Sequence, residues 1–310
     1  RVATNINGKE GAFNRGNVAC VTLNLVQMAY AAKGSIETFY QLLDENLIDA
    51  RDVLLHRFHL LCNKADFQDV FREGYYLGAE KHDNAAMLKN GTLSIGFIGL
   101  WDALQILTGE MFTQGSDLEA HFTEALEIVK HMREFTDQAT REHRLNFSLL
   151  ASAAEGVTGK FAEYDKEHLG KGNIISEKGF YTNSFHVPVD IPVSYRKKIR
   201  LEGPFHALCN GGSITYVEFR EMPNRNIDAV QDVVDAACQG DCSYIGVNFP
   251  MDYCDTCGYI GRMGEKCPAC GSTHVKRLRR VSGYLAEEAD FATGKKFEME
   301  RRTANMNVLA

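Results

Sequence analysis

The chain has 310 residues, 45% of them hydrophobic and 24% charged, enough to bury one large core or two smaller ones. Its formal net charge of −7, with no basic stripe or polybasic tail, argues against a general nucleic-acid grip, which needs many phosphate-neutralising cations. No apolar run reaches the length of a membrane span and no signal peptide is evident, so the expected setting is cytoplasmic, with no membrane partner.

The opening reads as a Gly/Asn-rich loop, then the β-rich "VACVTLNL", then a helix. Apolar spacing predicts helices over 34–65 ("IETFYQLLDENLIDARDVLLHRFHLL") and 66–90. "TLSIGFIGLWDALQILTG" starts as a buried strand or turn and becomes helical at about Gly99. Residues 117–144 form a long amphipathic helix, and "NFSLLASAAEG" a buried strand plus loop. The polar, Gly-rich 157–180 stretch reads as a surface excursion. "YTNSFHVPVDIPV" is strand-like, but its two prolines make it at most a strand end. "ITYVEFRE" alternates cleanly as a strand, "IDAVQDVVDAACQG" is a helix stopped by Gly240, and "YIGVNFPM" is a strand leading into a cysteine cluster. Strands alternating with helices of this length indicate an α/β architecture.

Cys254, Cys257, Cys267 and Cys270 form CxxC-x9-CxxC. Two such turns, joined by the Gly-rich "GYIGRMGEK", converge on one ion with four thiolates. The set fits a closed structural Zn2+ site, because four sulfurs leave no open position for water. An iron–sulfur centre or rubredoxin-like iron takes the same ligands. The remaining cysteines (Cys20, Cys62, Cys209, Cys238, Cys242) are scattered, which fits a reducing compartment better than a disulfide framework.

After the cysteines and a short basic run comes "RVSGYL", an apolar turn between charged flanks that carries Gly283. On composition alone this is a turn before a final helix, in which glycine supplies a positive φ. The wider pattern carries more. The four-cysteine knuckle, "RVSGYL" and then "TGK..E...R" resemble the C-terminus of the anaerobic (class III) ribonucleoside-triphosphate reductases, a glycyl radical enzyme family. "RGN....TLNL" (Arg15 to Leu25), "TLSIGFIGLWDAL", "YTNSFHVPV" and "HALCNGGSITYVEF" resemble further motifs of that family, in order, so the likeness runs along the whole chain.

The resemblance implies reduction of ribonucleoside triphosphates to deoxyribonucleotides by glycyl/thiyl radical chemistry, with Gly283 as the radical residue. It implies the C-terminal half of a ten-stranded α/β barrel: catalytic barrel over 1–250, zinc knuckle over 251–275, and radical loop with C-terminal segment over 276–310. Asn17 matches the asparagine that faces the substrate ribose, and Thr182, Asn183 and Ser184 would present backbone N–H groups and hydroxyls to the triphosphate. Each has a plainer reading, as an Asn/Ser turn. Also implied are a separate radical S-adenosylmethionine activase with a 4Fe–4S cluster, formate or a thiol system as reductant, and a homodimer. The family's thiyl cysteine lies just upstream of the "RGN" segment, and the chain begins with Arg1, so this cysteine and the ATP cone are expected outside it. Cys20 reads as a small buried hydrophobe and no substitute. His186 and His206 read as hydrogen-bonded core or rim histidines, and Lys276 to Arg280 as a solvated face or activase-docking surface. Glu155 matches a family "PAE" stretch without a firm role. The rivals are a non-catalytic zinc-ribbon binding module on an α/β scaffold, and another glycyl radical enzyme.

Overall fold

A computed structural model describes residues 4–8, 15–63, 84–113, 115–169, 174–224 and 226–305. The chain divides into two compact units: residues 1–110, 119–152 and 205–213 form one, and residues 111–118, 153–204 and 214–310 the other.

The first unit is built on a parallel sheet of three strands, β1 (Asn17–Asn24), β2 (Thr92–Ile98) and β3 (Asn146–Ala151), in that order. All seven residues of the central strand β2 are buried. Its near-continuous apolar sequence, TLSIGFI, is what a parallel strand covered on both faces requires. Gly96 sits where a Cβ would lie 1.9 Å from Ser152 Oγ, and Thr22 and Ser152 share a 3.1 Å hydrogen bond beside it. The Leu25–Ala32 helix follows β1 directly, because the Asn24 side chain accepts from the Gln27 N–H and caps it. The Ile36–Asn63 helix buries Phe39, Leu43, Leu47, Ala50, Leu54 and Phe58, one stripe at steps of three or four residues. The Leu100–Thr108 and Phe122–His143 helices form where their apolar spacing predicts. Of the helix predicted over 66–90, residues 66–83 lie outside the described residues, and Asn84–Leu88 is helical.

In the second unit, β4 (Thr215–Glu218) and β5 (Ile245–Asn248) pair in parallel, with the Ile227–Gln239 helix as crossover. Val233, Ala236 and Ala237 of that helix pack with Tyr195, Ile199 and Val217. An antiparallel sheet follows, in the order β7 (Ile260–Gly261), β6 (Met251–Cys254), β8 (Val275–Arg280), β9 (Leu285–Glu287). The Thr293–Arg301 helix ends the described fold.

Two segments differ from the sequence reading. The stretch 157–180 is not a surface excursion: it holds the Val157–His168 helix and a helical turn at Ile174–Glu177. Its buried stripe, Thr158, Ala162 and Asp165, is mostly polar, so hydropathy hides it; Asp165 accepts from the Tyr181 hydroxyl at 2.7 Å. Residues 181–193 form no regular strand but a buried run of turns. Pro188 and Pro192 cannot donate to a ladder, and the Val187 N–H goes to the Glu202 carboxylate at 2.9 Å instead.

Gly203, in the Tyr195–Leu208 helix, sits against the backbone of Gly240, where a Cβ would lie 1.6 Å from the carbonyl oxygen. Gly203→Ala is therefore expected to destabilise the fold by about 3 kcal/mol through overpacking against rigid backbone, read as a lower urea midpoint.

Candidate functional site

The four cysteines converge through two copies of one turn. In each, the glycine after the second cysteine (Gly258, φ 74; Gly271, φ 73) adopts the left-handed conformation and donates its N–H to the carbonyl of the first cysteine at 2.9 Å. Cys254 ends β6 and pairs across to Val275 at the start of β8. The four sulfurs lie within 4.8 Å of one another, with Cys254–Cys270 at 3.7 Å and Cys257–Cys267 at 3.6 Å. A tetrahedron of thiolates about 2.3 Å from zinc has edges of about 3.8 Å, so the set fits a structural metal. Beneath it, buried Asp252 accepts the Met263 N–H at 2.7 Å and pairs with Arg279.

β8 runs from this knuckle into a tight loop. Arg280 pairs with Leu285 across the β8–β9 ladder, and the Val281 N–H donates to the Tyr284 carbonyl at 2.9 Å, leaving Ser282 and Gly283 at the tip. Ser282 is buried and Gly283 exposed. Gly283 has no positive φ, so the reading of it as a turn glycine does not hold. Nor is space short: a Cβ there would meet nothing nearer than the Tyr216 hydroxyl at 3.8 Å and Glu155 Oε1 at 4.0 Å. Its N–H donates to Glu155 Oε1 at 3.4 Å, and Glu155 follows Ala154, whose backbone is held at φ 44.

Tyr216 closes this neighbourhood. Its hydroxyl is buried with no partner among the described residues, and burial pushes its pKa up to about 12, against the pull of Arg280. The Arg280 guanidinium lies 3.8 Å from the Tyr216 ring centroid, pairs with Glu218 and donates to the Ser282 carbonyl at 3.3 Å. A cleft of about 250 Å³ opens here between Tyr216, Tyr244, Asn248 and Gly283.

Of the three residues expected at the triphosphate, Asn183 reaches this loop: its amide nitrogen donates to Ser282 Oγ at 2.9 Å, and its oxygen accepts from Lys295 at 3.1 Å. Thr182 and Ser184 are buried beside it. Ser184 has φ 39, and its hydroxyl has no partner among the described residues. Glu202 holds this segment from below, taking the Val187 N–H, His186 Nδ1 at 3.2 Å, Thr215 Oγ1 at 2.8 Å, and Lys198. Burial alone would raise Glu202, but Lys198 and His186 outweigh it and hold the carboxyl at about 2. Burial likewise pushes His186 down, against Glu202. Asn17 lies in the first unit, at the start of β1, 3.1 Å from Ser94 Oγ. Cys20 is half-buried, with its thiol pushed up by burial. Of the 276–280 cations, Lys276 and Arg277 are exposed, Lys276 pairing with Asp255 and Glu287 and Arg277 donating to the Gly264 carbonyl, while Arg279 pairs with Asp252 and Arg280 with Glu218. Sequence reasoning gave Tyr216, Lys295, Glu298 and Arg302 no role at the loop, and read Arg280 only as part of a surface run, although "ITYVEF", "RVSGYL" and "TGK..E...R" carried them.

Fold and site together define an α/β protein in which a four-thiolate centre sits at the base of a glycine-tipped loop. The chain belongs to the anaerobic ribonucleoside-triphosphate reductase family, whose model matches residues 1–304. It is 34% identical over 320 residues to the anaerobic ribonucleoside-triphosphate reductase of Escherichia coli K12, covering 97% of this chain and 44% of that protein. It is 33% identical to the reductase of the same name from phage T4, covering 95% of this chain and 50% of that protein. The chain thus spans about half the length of the curated relatives it matches or slightly less. An anaerobic ribonucleotide reductase structure superposes with a TM-score of 0.79 at 19% identity, covering 99% of this chain and 48% of that one. The Thermotoga maritima enzyme in complex with dATP and CTP gives 0.71 at 20% identity, covering 96% and 46%. These likenesses show the shared fold, and nothing in the comparisons supports a free-standing zinc-ribbon module.

Two outcomes follow from this geometry. The purified chain should hold one zinc per molecule, and Cys254→Ser or Cys267→Ser should abolish it by elemental analysis; Co2+ in its place should show tetrahedral thiolate absorption. Glu202 and Glu298 both titrate at about 2 in the fold, below the ordinary 4.5, so the folded state binds fewer protons than the unfolded one. Their stabilisation is complete above about pH 4.5 and drains as pH falls toward 2. Urea midpoints measured down this range should fall, with a shallower slope in Glu202→Gln.

Proposed function

We propose that this chain is the C-terminal portion of an anaerobic ribonucleoside-triphosphate reductase, with Gly283 as its radical residue. The observation that carries this reading is a glycine at a loop tip where neither dihedral nor space asks for one. A Cα radical supplies the missing reason. It needs a planar centre, delocalised between the flanking amide and carbonyl, with no side chain to bend it.

In this reading a separate radical S-adenosylmethionine enzyme removes a hydrogen atom from Gly283. The Gly283 radical then takes the hydrogen of a cysteine thiol, regenerating Gly–H and leaving a thiyl radical. The thiyl abstracts a ribose hydrogen, and the 2′-hydroxyl is replaced by hydrogen at the expense of formate or a thiol reductant. Asn17 would hold the ribose hydroxyls with a neutral amide, and Thr182 and Ser184, with the backbone around them, would face the triphosphate. The unpartnered Ser184 hydroxyl and its left-handed backbone support that placement. The Asn183 amide, engaged with Ser282 and Lys295, contributes from the loop side. Zinc at Cys254, Cys257, Cys267 and Cys270 would fix the base of the loop. The parts fall to barrel (1–250, the second half of ten strands), knuckle (251–275) and radical segment (276–310), in a cytoplasmic homodimer.

Activated anaerobically, the full-length protein should show a glycyl EPR doublet. Gly283→Ala should fold within about 0.5 kcal/mol of the wild type, since a methyl fits, yet show no doublet. Air should then cleave the activated chain at Gly283, releasing the short C-terminal piece on mass spectrometry. An intact mass after activation and air exposure overturns the assignment. Zinc loss by Cys267→Ser should lower the doublet while circular dichroism changes little.

A further inference from the structure

The "TGK..E...R" motif has so far been given no role. Lys295 and Glu298 lie one turn apart on the final helix, and Arg302 caps its C-terminus with extended backbone, bonded back to Glu298. The face that Lys295 and Glu298 share is inverted relative to an ordinary amphipathic helix. Lys295 is 1% exposed and Glu298 4%, while Phe297 is 42% exposed. Gly294 brings the helix against the backbone of Gly159, where a Cβ would come within 2.6 Å of the Gly159 Cα.

The buried charges are spent on the Gly283 loop. Arg302 donates to the carbonyls of Arg280 and of Val281, the latter at 2.8 Å, and to Glu298 at 2.7 Å. Lys295 pairs with Glu298 and donates to Asn183, which donates to Ser282 Oγ. Three consecutive residues before Gly283 are thus gripped from the end of this helix: two through their carbonyls by Arg302, the third through its side chain by way of Asn183. Burying three charges is costly, and an apolar face of similar volume would serve stability as well or better. What the ionic group adds is direction: two Arg302 donors each fix one peptide plane of the loop, and Lys295 fixes the Asn183 amide that holds Ser282.

We propose that Lys295, Glu298 and Arg302 are positioning residues for Gly283, fixing the two peptide groups that lead into Ser282 and, through Asn183, the Ser282 side chain beside the α-carbon. This inference rests on the glycyl reading. A glycyl radical's spin density at Cα, and so the splitting from its remaining α-hydrogen, depends on how nearly coplanar the peptide groups on either side of it are, and the Ser282–Gly283 peptide takes its orientation from the Arg280, Val281 and Ser282 residues so held.

The test is EPR of the full-length protein after anaerobic activation. Lys295→Met/Glu298→Gln removes both charges of the pair together and still leaves Arg302 an amide oxygen to donate to. Ser282→Ala removes one hydroxyl and serves where the double variant folds poorly. With zinc content and circular dichroism unchanged, both should give an altered doublet splitting and a spin yield lowered roughly tenfold or more, as a small displacement of a reacting centre does. Combining them should add little further, because they break one chain of contacts. Wild-type splitting and yield in both variants overturn the positioning role and leave the glycyl reading standing. A wild-type protein without any doublet overturns the glycyl reading, and this inference with it.

Discussion

Four sulfur atoms within 4.8 Å of one another are the constraint on which the second unit's small sheet depends. As thiolates without an ion they would repel; around a divalent metal they become the core that this sheet otherwise lacks. The surrounding apolar cluster is only Cys254, Met263 and Cys267, with Val275 at its edge. A cluster that small does not offset the entropy of ordering the strands around it, so a metal held by the four thiolates would supply folding energy directly. β8 carries that rigidity from the cysteines to the loop. The same strand that begins opposite Cys254 ends at Arg280, where the cation stacks on Tyr216 and pairs with Glu218.

The glycines divide by what holds them. Gly258 and Gly271 need left-handed backbone, and Gly96, Gly203 and Gly294 are demanded by a neighbour closer than any Cβ tolerates. Gly283 meets neither demand, though its own flanks are held by Arg302, Asn183 and Glu155. An immobilised backbone around an unconstrained α-carbon is what the proposed radical at that carbon would need, since its placement is fixed and its shape left free.

Much of this was legible in the sequence, for identifiable reasons. The helices at Ile36–Asn63 and Phe122–His143 announce themselves because their buried stripes are apolar, and β2 because a strand covered on both faces has no polar alternation to obscure it. The cysteine set was legible because ligand spacing is local. What failed was burial of polar groups. The Val157–His168 helix hides Thr158 and Asp165, and 181–193 satisfies its backbone through Glu202, a residue well downstream. The final helix shows no apolar stripe, because Lys295 and Glu298 are its buried residues. Asn183 was singled out as a phosphate ligand; its bonds to Lys295 and Ser282, more than ninety residues away in sequence, lie beyond any local pattern.

The small sheet has one further property, set by the lengths of its outer members. β7 has two residues and β9 three, flanking β6 and β8. A sheet edge invites strands from neighbouring molecules in proportion to the run of unpaired N–H and C=O groups it presents. Edges this short, with Lys276 and Glu287 paired across the β8–β9 side, offer little template for such pairing. The segment therefore carries its own protection against intermolecular β-association, though it places Tyr284 and Leu285 at the surface.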